Sequence, residues 1–392
     1  MNHKLLFSFL SAICLISLTI LPADAKSRSF VKEYVYEAGE SDSKLTCRTI
    51  ALEQVKRLLL DELGTFIVSN SEVVNYQVTK DQVVKYSSGI VMTAIISEKW
   101  DGQKYTLKAK VTADPDEVVK SINLLRKDRE KTAEIQELHA ETAAAMQEIE
   151  LLKKELASTK MDKQKQDRYL KSVNKLLIEG KIEEGVNLSR QHKYKEAIKP
   201  FTDVLTYNPD HYKTLNMRGF AYYKLKKYDT AVKDFDAAIR IKPSYLRPYI
   251  NKGWTAFDQG RFEDALALFE QTLAYDPEYA RGYNSRGFYY FKKGNFGKAK
   301  PDFDKAIALN PQYAAAYLDR GRCYYERKEY NNALNDYNKG LEIDPRNAIG
   351  YYGRGNTYSK LKQKDKAVAD YKIAAELGYG KAEKKLAVQG KK

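Results

Sequence analysis

The stretch YKTLNMRGFAYYKLKKYDTAVKDFDAAIRIKPSY, residues 212–245, decides the fold, because its pattern returns every 34 residues through the C-terminal half of the chain. Each unit has a glycine at its eighth position, in the row Gly185, Gly219, Gly253, Gly287, Gly321 and Gly355. Its twentieth position is an alanine, in the row Ala197, Ala231, Ala265, Ala299, Ala333 and Ala367. A fixed period of this length predicts a solenoid of stacked supersecondary units.

An aromatic residue stands four positions after each alanine, in the row Phe201, Phe235, Phe269, Phe303, Tyr337 and Tyr371. Together these positions resemble the tetratricopeptide repeat (TPR), a helix–turn–helix unit with helices A and B. The resemblance frames six units at 178–211, 212–245, 246–279, 280–313, 314–347 and 348–381. It implies a mainly α protein with a right-handed TPR α-solenoid, and residues 382–392 are expected to hold a capping helix and a tail.

The recurring spacing within a unit has a physical reason. Glycine at the eighth position and alanine at the twentieth allow two helices to cross at close approach. The aromatic side chain lies on the same face of helix B as the alanine and fills the space between the helices. Proline at the thirty-second position, as at Pro243, cannot extend helix B and sets the turn into the next unit.

Charged residues at two positions of the unit vary together. Units with arginine at the seventh position have aspartate at the twenty-third, and the two units without the arginine lack both. This covariation predicts four structural ion pairs inside repeats: Arg218–Asp234, Arg286–Asp302, Arg320–Asp336 and Arg354–Asp370. These arginines are therefore assigned to the scaffold and not to a ligand site.

The resemblance also implies a binding face. In the family, helix A positions two, five, nine, twelve and thirteen line a concave groove that receives extended peptides. The candidate groove residues are Lys213, Asn216, Phe220, Tyr223, Arg247, Ile250, Trp254, Phe257, Arg281, Asn284, Phe288, Phe291, Arg322 and Tyr325. Aromatic anchors beside basic and amide groups suit an acidic peptide segment or a chain terminus. The alternative is that the aromatic side chains only pack between repeats.

The first 25 residues are predicted to be a signal peptide. Lys4 supplies a positive charge, Leu5 to Leu21 form an apolar run, and Ala23-Asp24-Ala25 offers a cleavage site. The chain is therefore expected to be exported, most simply to the periplasm of a Gram-negative bacterium. The alternative is that the apolar run is retained as an anchor.

Residues 26–115 are predicted to form a small α+β domain. A strand-like run from Phe30 to Ala38 precedes a helical apolar stripe from Leu45 to Phe66. Three further strand-like runs follow at 73–78, 90–99 and 105–112, the last two joined at an Asp-Gly turn. This order resembles the N-terminal domain of flagellar assembly protein T and related small envelope lipoproteins, which implies an envelope-associated binding module.

Residues 116–177 are predicted to form a long helix. Apolar or small residues fall at alternating spacings of three and four over about three heptads, in the seam Ile135, Leu138, Thr142, Ala145, Ile149, Leu152 and Leu156. If continuous, this helix would be roughly 90 Å long. It could be an oligomerising coiled coil, a solvated spacer, or a helix folded back on a neighbour.

Charge and residue usage limit the function further. The chain has a formal net charge of +15, and residues 178–392 hold most of it, with 40 basic and 27 acidic side chains. After the signal, only Cys47 and Cys323 remain, and they are expected to be separate buried thiols. His139, His192 and His211 stand near no cysteine and in no metal-ligand spacing, and the glycines form no phosphate loop.

The sequence thus predicts a non-enzymatic adaptor without cofactor or metal, whose partners are envelope or periplasmic proteins. Nucleic acid fits the basic array less well, because export removes the usual ligand. Recognition of cell-wall glycan is the alternative function, because aromatic floors also stack on sugars.

Overall fold

The computed structural model describes residues 27–70, 79–87, 91, 93–127, 129–158 and 162–389. Within them the chain forms three strands and seventeen helices. Their bounds are β1 (Arg28–Glu37), α1 (Lys44–Asn70), α2 (Lys80–Ser87), β2 (Thr93–Trp100), β3 (Lys104–Ala113), α3 (Pro115–Lys127), α4 (Arg129–Ser158), α5 (Lys163–Arg190), α6 (Tyr194–Tyr207), α7 (Tyr212–Lys224), α8 (Tyr228–Ile241), α9 (Arg247–Asp258), α10 (Phe262–Tyr275), α11 (Ala280–Lys292), α12 (Phe296–Leu309), α13 (Ala314–Glu326), α14 (Tyr330–Ile343), α15 (Ala348–Lys360), α16 (Lys364–Glu376) and α17 (Gly380–Gln389).

The N-terminal strands form one antiparallel sheet in the order β1-β3-β2. Alternate residues of β3, such as Leu107 and Val111, are fully buried against α1, which covers one face of the sheet. The predicted turn joins β2 to β3. The carboxylate of Asp101 accepts hydrogen bonds from the backbone N–H groups of Gln103 and Lys104, and Gly102 takes a φ of +103°.

The short helix α2 was not anticipated from the sequence, because eight residues are too few to show a helical period. It nevertheless contributes the buried side chains of Val83 and Tyr86 to the core. The strand predicted over 73–78 lies outside the described residues. The strand predicted over 90–99 corresponds to β2, which begins at Thr93.

Long helices do precede the array, but residues 116–177 belong to more than one of them. This stretch divides among α3, α4 and the start of α5. Asp162 begins α5 anew, because its carboxylate accepts hydrogen bonds from the backbone N–H groups of Gln164 and Lys165 and so acts as an N-cap. Helix α5 then packs along α4 and continues into the first repeat, where its last residues serve as helix A.

The seam of α4 is covered within the chain, so of the three alternatives the folded-back helix is the one observed. Ala145, Ile149 and Leu152 are buried in the core of the N-terminal module, beside Val173 of α5. An oligomerising coiled coil through this part of the seam is therefore not what the structure shows. Ile135 and Leu138 lie where the structure does not describe side chains.

A buried hydroxyl network fastens the sheet to α5. The hydroxyl groups of Tyr36 and Tyr169 lie 3.0 Å apart, and each donates to a different oxygen of the Asp42 carboxylate. Burial raises the pKa of both phenols. Because Tyr36 belongs to β1 and Tyr169 to α5, the N-terminal module and the helix entering the array share one core.

From α5 onward, the helices alternate as A and B members of six repeats, and α17 closes the array. This is the predicted TPR α-solenoid, and the mainly helical fold class is confirmed. The first repeat differs from its predicted bounds of 178–211 in one respect: its helix A is the end of α5, which begins upstream at Lys163. Both cysteines are free and buried, as expected, and burial raises the pKa of Cys47 to about 11.

The predicted signal peptide lies outside the described residues. Of the helices that are described, none combines the length and apolarity that crossing a membrane requires.

Candidate functional site

The A and B helices of each repeat touch where the sequence places its smallest residues. A Cβ atom added to Gly253 would lie 2.5 Å from Cε1 of Phe269, and one added to Gly219 would lie 2.7 Å from Cε1 of Phe235. Both rings are fully buried. The glycine and aromatic rows therefore fix how far apart the two helices of a repeat stand, and so how the A helices are presented.

All four arginine–aspartate pairs inferred from the sequence are formed. In each, the arginine Nε and Nη2 atoms donate to the two oxygens of one carboxylate at 2.7–2.9 Å. Asp234, Asp302, Asp336 and Asp370 are buried, with relative exposures of 4–7%. Because such bidentate pairs hold a helix A against its helix B, these arginines belong to the scaffold.

A second set of polar contacts joins neighbouring repeats and was not anticipated. The seventh-position residue also reaches the twenty-fifth position of the preceding repeat, as in Arg320 Nη1 to Asp304 at 2.7 Å. Lys252, which has no partner inside its own repeat, donates to Asp236 at 2.6 Å. These contacts between repeats could have been found in the sequence by comparing the seventh position of each unit with the twenty-fifth position of the preceding unit.

The candidate groove aromatics form a row along the A helices. The Trp254 ring centroid lies 5.4 Å from that of Phe288 in the next repeat and 5.6 Å from that of Phe257. The Arg322 guanidinium lies 4.9 Å above Phe288 and 5.4 Å from Phe291. These aromatic side chains pack between repeats and still remain partly exposed, so packing is observed and part of each ring surface stays accessible to a ligand.

Three candidate groove residues make contacts inside the protein that do not involve a ligand. Ile250 is only 3% exposed and belongs to the core. The Tyr223 hydroxyl donates to Asp258 at 2.8 Å, and Tyr325 packs against Tyr330. For Ile250 the structure favours packing over ligand contact.

The two amide residues are also engaged. Asn216 accepts a hydrogen bond from Asn251 at 2.8 Å, and Asn284 donates one to Asp319 at 3.1 Å. Both are 6% exposed. Each of these two candidate groove residues therefore joins two repeats through its side-chain amide. One acceptor, Oδ1 of Asn284, is buried without a hydrogen-bond partner among the described residues.

The basic residues of the candidate groove, Lys213, Arg247 and Arg281, make contacts within the chain. Lys213 donates to Glu137 of α4 at 2.6 Å, so it anchors the N-terminal module to the second repeat. Arg281 lies 5.7 Å from the Tyr313 ring centroid, and Arg247 is half-buried at the start of α9. Arg322 is engaged as well, because its Nη1 atom lies 3.3 Å from Oδ1 of Asp319, so contacts within the chain offset part of the positive charge of the candidate groove.

Asp319 gives the groove a pH-dependent element. Burial raises the pKa of its carboxyl to about 6, although Arg322 and the Asn284 amide favour the charged form. A raised carboxyl pKa means that stability is lost as the pH rises from about 4 towards 6. We expect Asp319→Asn to remove this slope and to gain up to about 3 kcal/mol at pH 7, measured by urea unfolding across that range. An unchanged slope would contradict the assignment.

Among the described residues, no group of three or more histidine, cysteine, aspartate or glutamate side chains is arranged to hold a metal ion.

Family models agree with the repeat assignment. Models described as TPR repeat match residues 253–294 and 321–362, tetratricopeptide repeat models match 212–245 and 280–313, and a further one matches 348–377. The array thus consists of tetratricopeptide repeats. No curated protein matches the chain.

Solved structures with the same kind of array include MamA, which is 27% identical over 42% of this chain and 96% of its own, with a TM-score of 0.34. A TPR protein of Thermus thermophilus is 22% identical over 47% of this chain and 98% of its own, with a TM-score of 0.42. YrrB, described as a TPR protein with an unusual peptide-binding site, is 21% identical over 49% of this chain and 97% of its own, with a TM-score of 0.33.

Proposed function

We propose that this chain is an exported, non-enzymatic adaptor that binds an extended segment of an envelope protein in the concave groove of its TPR array. The observation that carries the proposal is the row of partly exposed aromatics that runs unbroken from Trp254 through Phe288 to the stacked Arg322. Aromatic and arginine side chains set in packed surroundings are the residues that dominate binding energy at protein interfaces.

The rigidity of the groove supports this function. The A helices that present the row are fixed by the glycine–aromatic contacts and by the bidentate ion pairs. A preorganised surface loses little conformational entropy on binding, so even a small row of anchors can hold a flexible peptide. Arg247, Arg281 and Arg322 make an acidic segment or a free chain terminus the preferred ligand.

Export to the periplasm is part of the proposal and rests on residues 1–25 alone. The N-terminal module shares its core with α5, so it would hold the array at a fixed orientation while contacting a second envelope component through its own surface.

The test is affinity capture from an envelope extract with the complete chain, beside a Trp254→Ala/Arg247→Glu variant. A matched control, Tyr275→Ala/Arg240→Glu, removes one aromatic and reverses one exposed charge on the B helices. We expect one protein to be captured by the parent and the control, and its recovery to fall at least tenfold with the groove variant. Equal recovery by all three would contradict binding in the groove.

Competition by a soluble cell-wall glycan fragment distinguishes glycan recognition from peptide binding. The groove variant alone does not, because it would weaken the binding of either ligand. Loss of capture in the presence of the glycan would identify the groove as a glycan site. Capture that the fragment leaves unchanged supports the protein partner.

A further inference from the structure

The excess positive charge of the array is concentrated on one edge. We define the turn edge as the thirteenth to nineteenth positions of the repeats, where helix A turns into helix B: 190–196, 224–230, 258–264, 292–298, 326–332 and 360–366. These residues include 16 basic and 8 acidic side chains. The opposite edge, where one repeat leads into the next at 206–213, 240–247, 274–281, 308–315, 342–349 and 376–383, has 7 of each.

From repeat 2 to repeat 6 the charge alternates along the turn edge, whereas the turn of repeat 1 is basic like that of repeat 2, with Arg190, Lys193 and Lys195 against Glu196. The turns of repeats 2, 4 and 6 carry clusters made only of lysine: Lys224, Lys226 and Lys227, then Lys292, Lys293 and Lys298, then Lys360, Lys362, Lys364 and Lys366. The turn of repeat 3 is acidic, and that of repeat 5 is neutral. If neighbouring A helices pack at the usual 8–10 Å, the lysine clusters recur roughly every 20 Å.

Several of these lysines stand where glycine would fold more easily. The fifteenth position of every repeat has a left-handed backbone, with φ of +79° at Gly260 and +72° at Gly294. Lys226 and Lys362 take the same conformation, at φ of +59° and +60°, and so do His192 and Lys328 outside the clusters, at +60° and +64°. The side chains of Lys226 and Lys362 are exposed, so they add no packing that would offset the strain. Strain retained at an exposed charge points to a role in binding.

We propose that the turn edge is a second interaction surface, which binds a flexible acidic polypeptide segment along the lysine clusters of repeats 2, 4 and 6. No large apolar side chain of this edge is exposed among the described residues, so the contact would be electrostatic. This surface meets the groove at its thirteenth positions, where Lys224 and Lys292 lie over the groove aromatics Phe220 and Phe288, but it extends beyond the groove and does not depend on the proposed function.

A flexible chain fits this surface better than the other anionic partners. Successive repeats of a solenoid are rotated, so their turns follow a curved line that a planar membrane cannot contact throughout. The clusters contain no arginine for bidentate phosphate contacts. The aromatics of the edge, such as Tyr228 and Phe296, are half-buried and pack against rings of their own repeats, which leaves less surface for the stacking of bases. A carboxylate-rich polypeptide requires neither of these features.

The test measures binding of a fluorescent oligoglutamate of about 20 residues, long enough to span three clusters at about 3.4 Å per residue, to the complete chain at about 0.15 M salt. We expect Lys226→Glu/Lys227→Glu to weaken binding about tenfold. The control Arg240→Glu/Lys242→Glu makes the same change in net charge on the opposite edge of the same repeat. It is expected to change the affinity less than twofold.

Equal losses from the two variants would overturn the proposal, because binding would then follow net charge alone. Absence of oligoglutamate binding would overturn the proposal as well. So would tight binding to phosphatidylglycerol vesicles or single-stranded DNA, if the same lysine variant abolished that binding and oligoglutamate did not compete with it. Because the groove is itself proposed to prefer acidic segments, the lysine variant and its control are also compared in a Trp254→Ala/Arg247→Glu background. The same difference between them should persist there, which keeps this test distinct from that of the groove.

The backbone observation has its own readout. Replacement of Lys226 by glycine should raise the Tm by about 2 °C, because it relieves the left-handed strain, and it should weaken oligoglutamate binding. A fall in Tm would show that the lysine stabilises the turn and would contradict the argument from strain.

Discussion

Reversing the charge of Asp234 is expected to destabilise the array by about 4 kcal/mol or more, because it places a cation beside a half-buried arginine and leaves both without a partner. Arg218 and Asp234 have side-chain exposures of 20% and 9% and form two hydrogen bonds of 2.7–2.8 Å. The paired exchange Arg218→Asp/Asp234→Arg should recover at least about 2 kcal/mol of that loss. Urea unfolding followed by circular dichroism measures each member of the cycle.

The equivalent pair of repeat 5, Arg320–Asp336, provides a control for this prediction. Arg320 donates both to Asp336 in its own repeat and to Asp304 in the preceding one, whereas the second partner of Arg218 is the neutral hydroxyl of Thr202. An aspartate placed at position 320 would therefore face Asp304. The exchange at 320 and 336 should recover less stability than the exchange at 218 and 234. Equal recovery, or no coupling in either cycle, would contradict the pairing scheme.

Truncating Phe269 to alanine is expected to cost about 3–5 kcal/mol, because the ring is fully buried against both Gly253 and Trp254. Gly253→Ala should also destabilise, by about 1–3 kcal/mol, since overpacking outweighs the gain of about 1 kcal/mol in helix propensity. Thermal and urea unfolding of the complete chain measure both effects.

The two sites should not be independent. A smaller residue at position 269 makes room for the added methyl group, so Gly253→Ala should cost much less in a Phe269→Leu background than in the parent. Gly260→Ala is the matched control, because a Cβ there meets nothing within 4 Å and its cost comes only from the left-handed backbone. Strict additivity between positions 253 and 269 would contradict the close approach of the helices.

The repeat array could be predicted closely because its determinants recur six times in one register. The covariation of arginine and aspartate located four ion pairs without any structure, and the glycine and aromatic rows located the helix crossings. The contacts between repeats were not predicted, because they join positions in different units. Examples are the hydrogen bonds from Lys252 to Asp236 and from Asn251 to Asn216.

The N-terminal half was less predictable for a different reason. Periodicity identified the apolar seam of α4 but not its partner, because Ile149 and Leu152 could face a second chain or this one equally well. The break at Asp162 depends on a single capping residue, which a helical pattern does not reveal. The packing of α4 against α5 brings Glu137 to Lys213. The resulting ion pair engages one of the candidate groove residues.

The central claim is that a protein partner lies along the A helices, and site-specific photo-crosslinking tests it most directly. A benzoylphenylalanine placed at Phe220, Phe257 or Phe288 lies at a partly exposed position of the A helices, whereas one placed at Lys233 or Glu270 lies at an exposed position of the B helices. After irradiation in envelope extract, we predict one common partner crosslinked from the three A-helix positions and from neither control. Crosslinks formed from the B-helix positions alone would contradict the account.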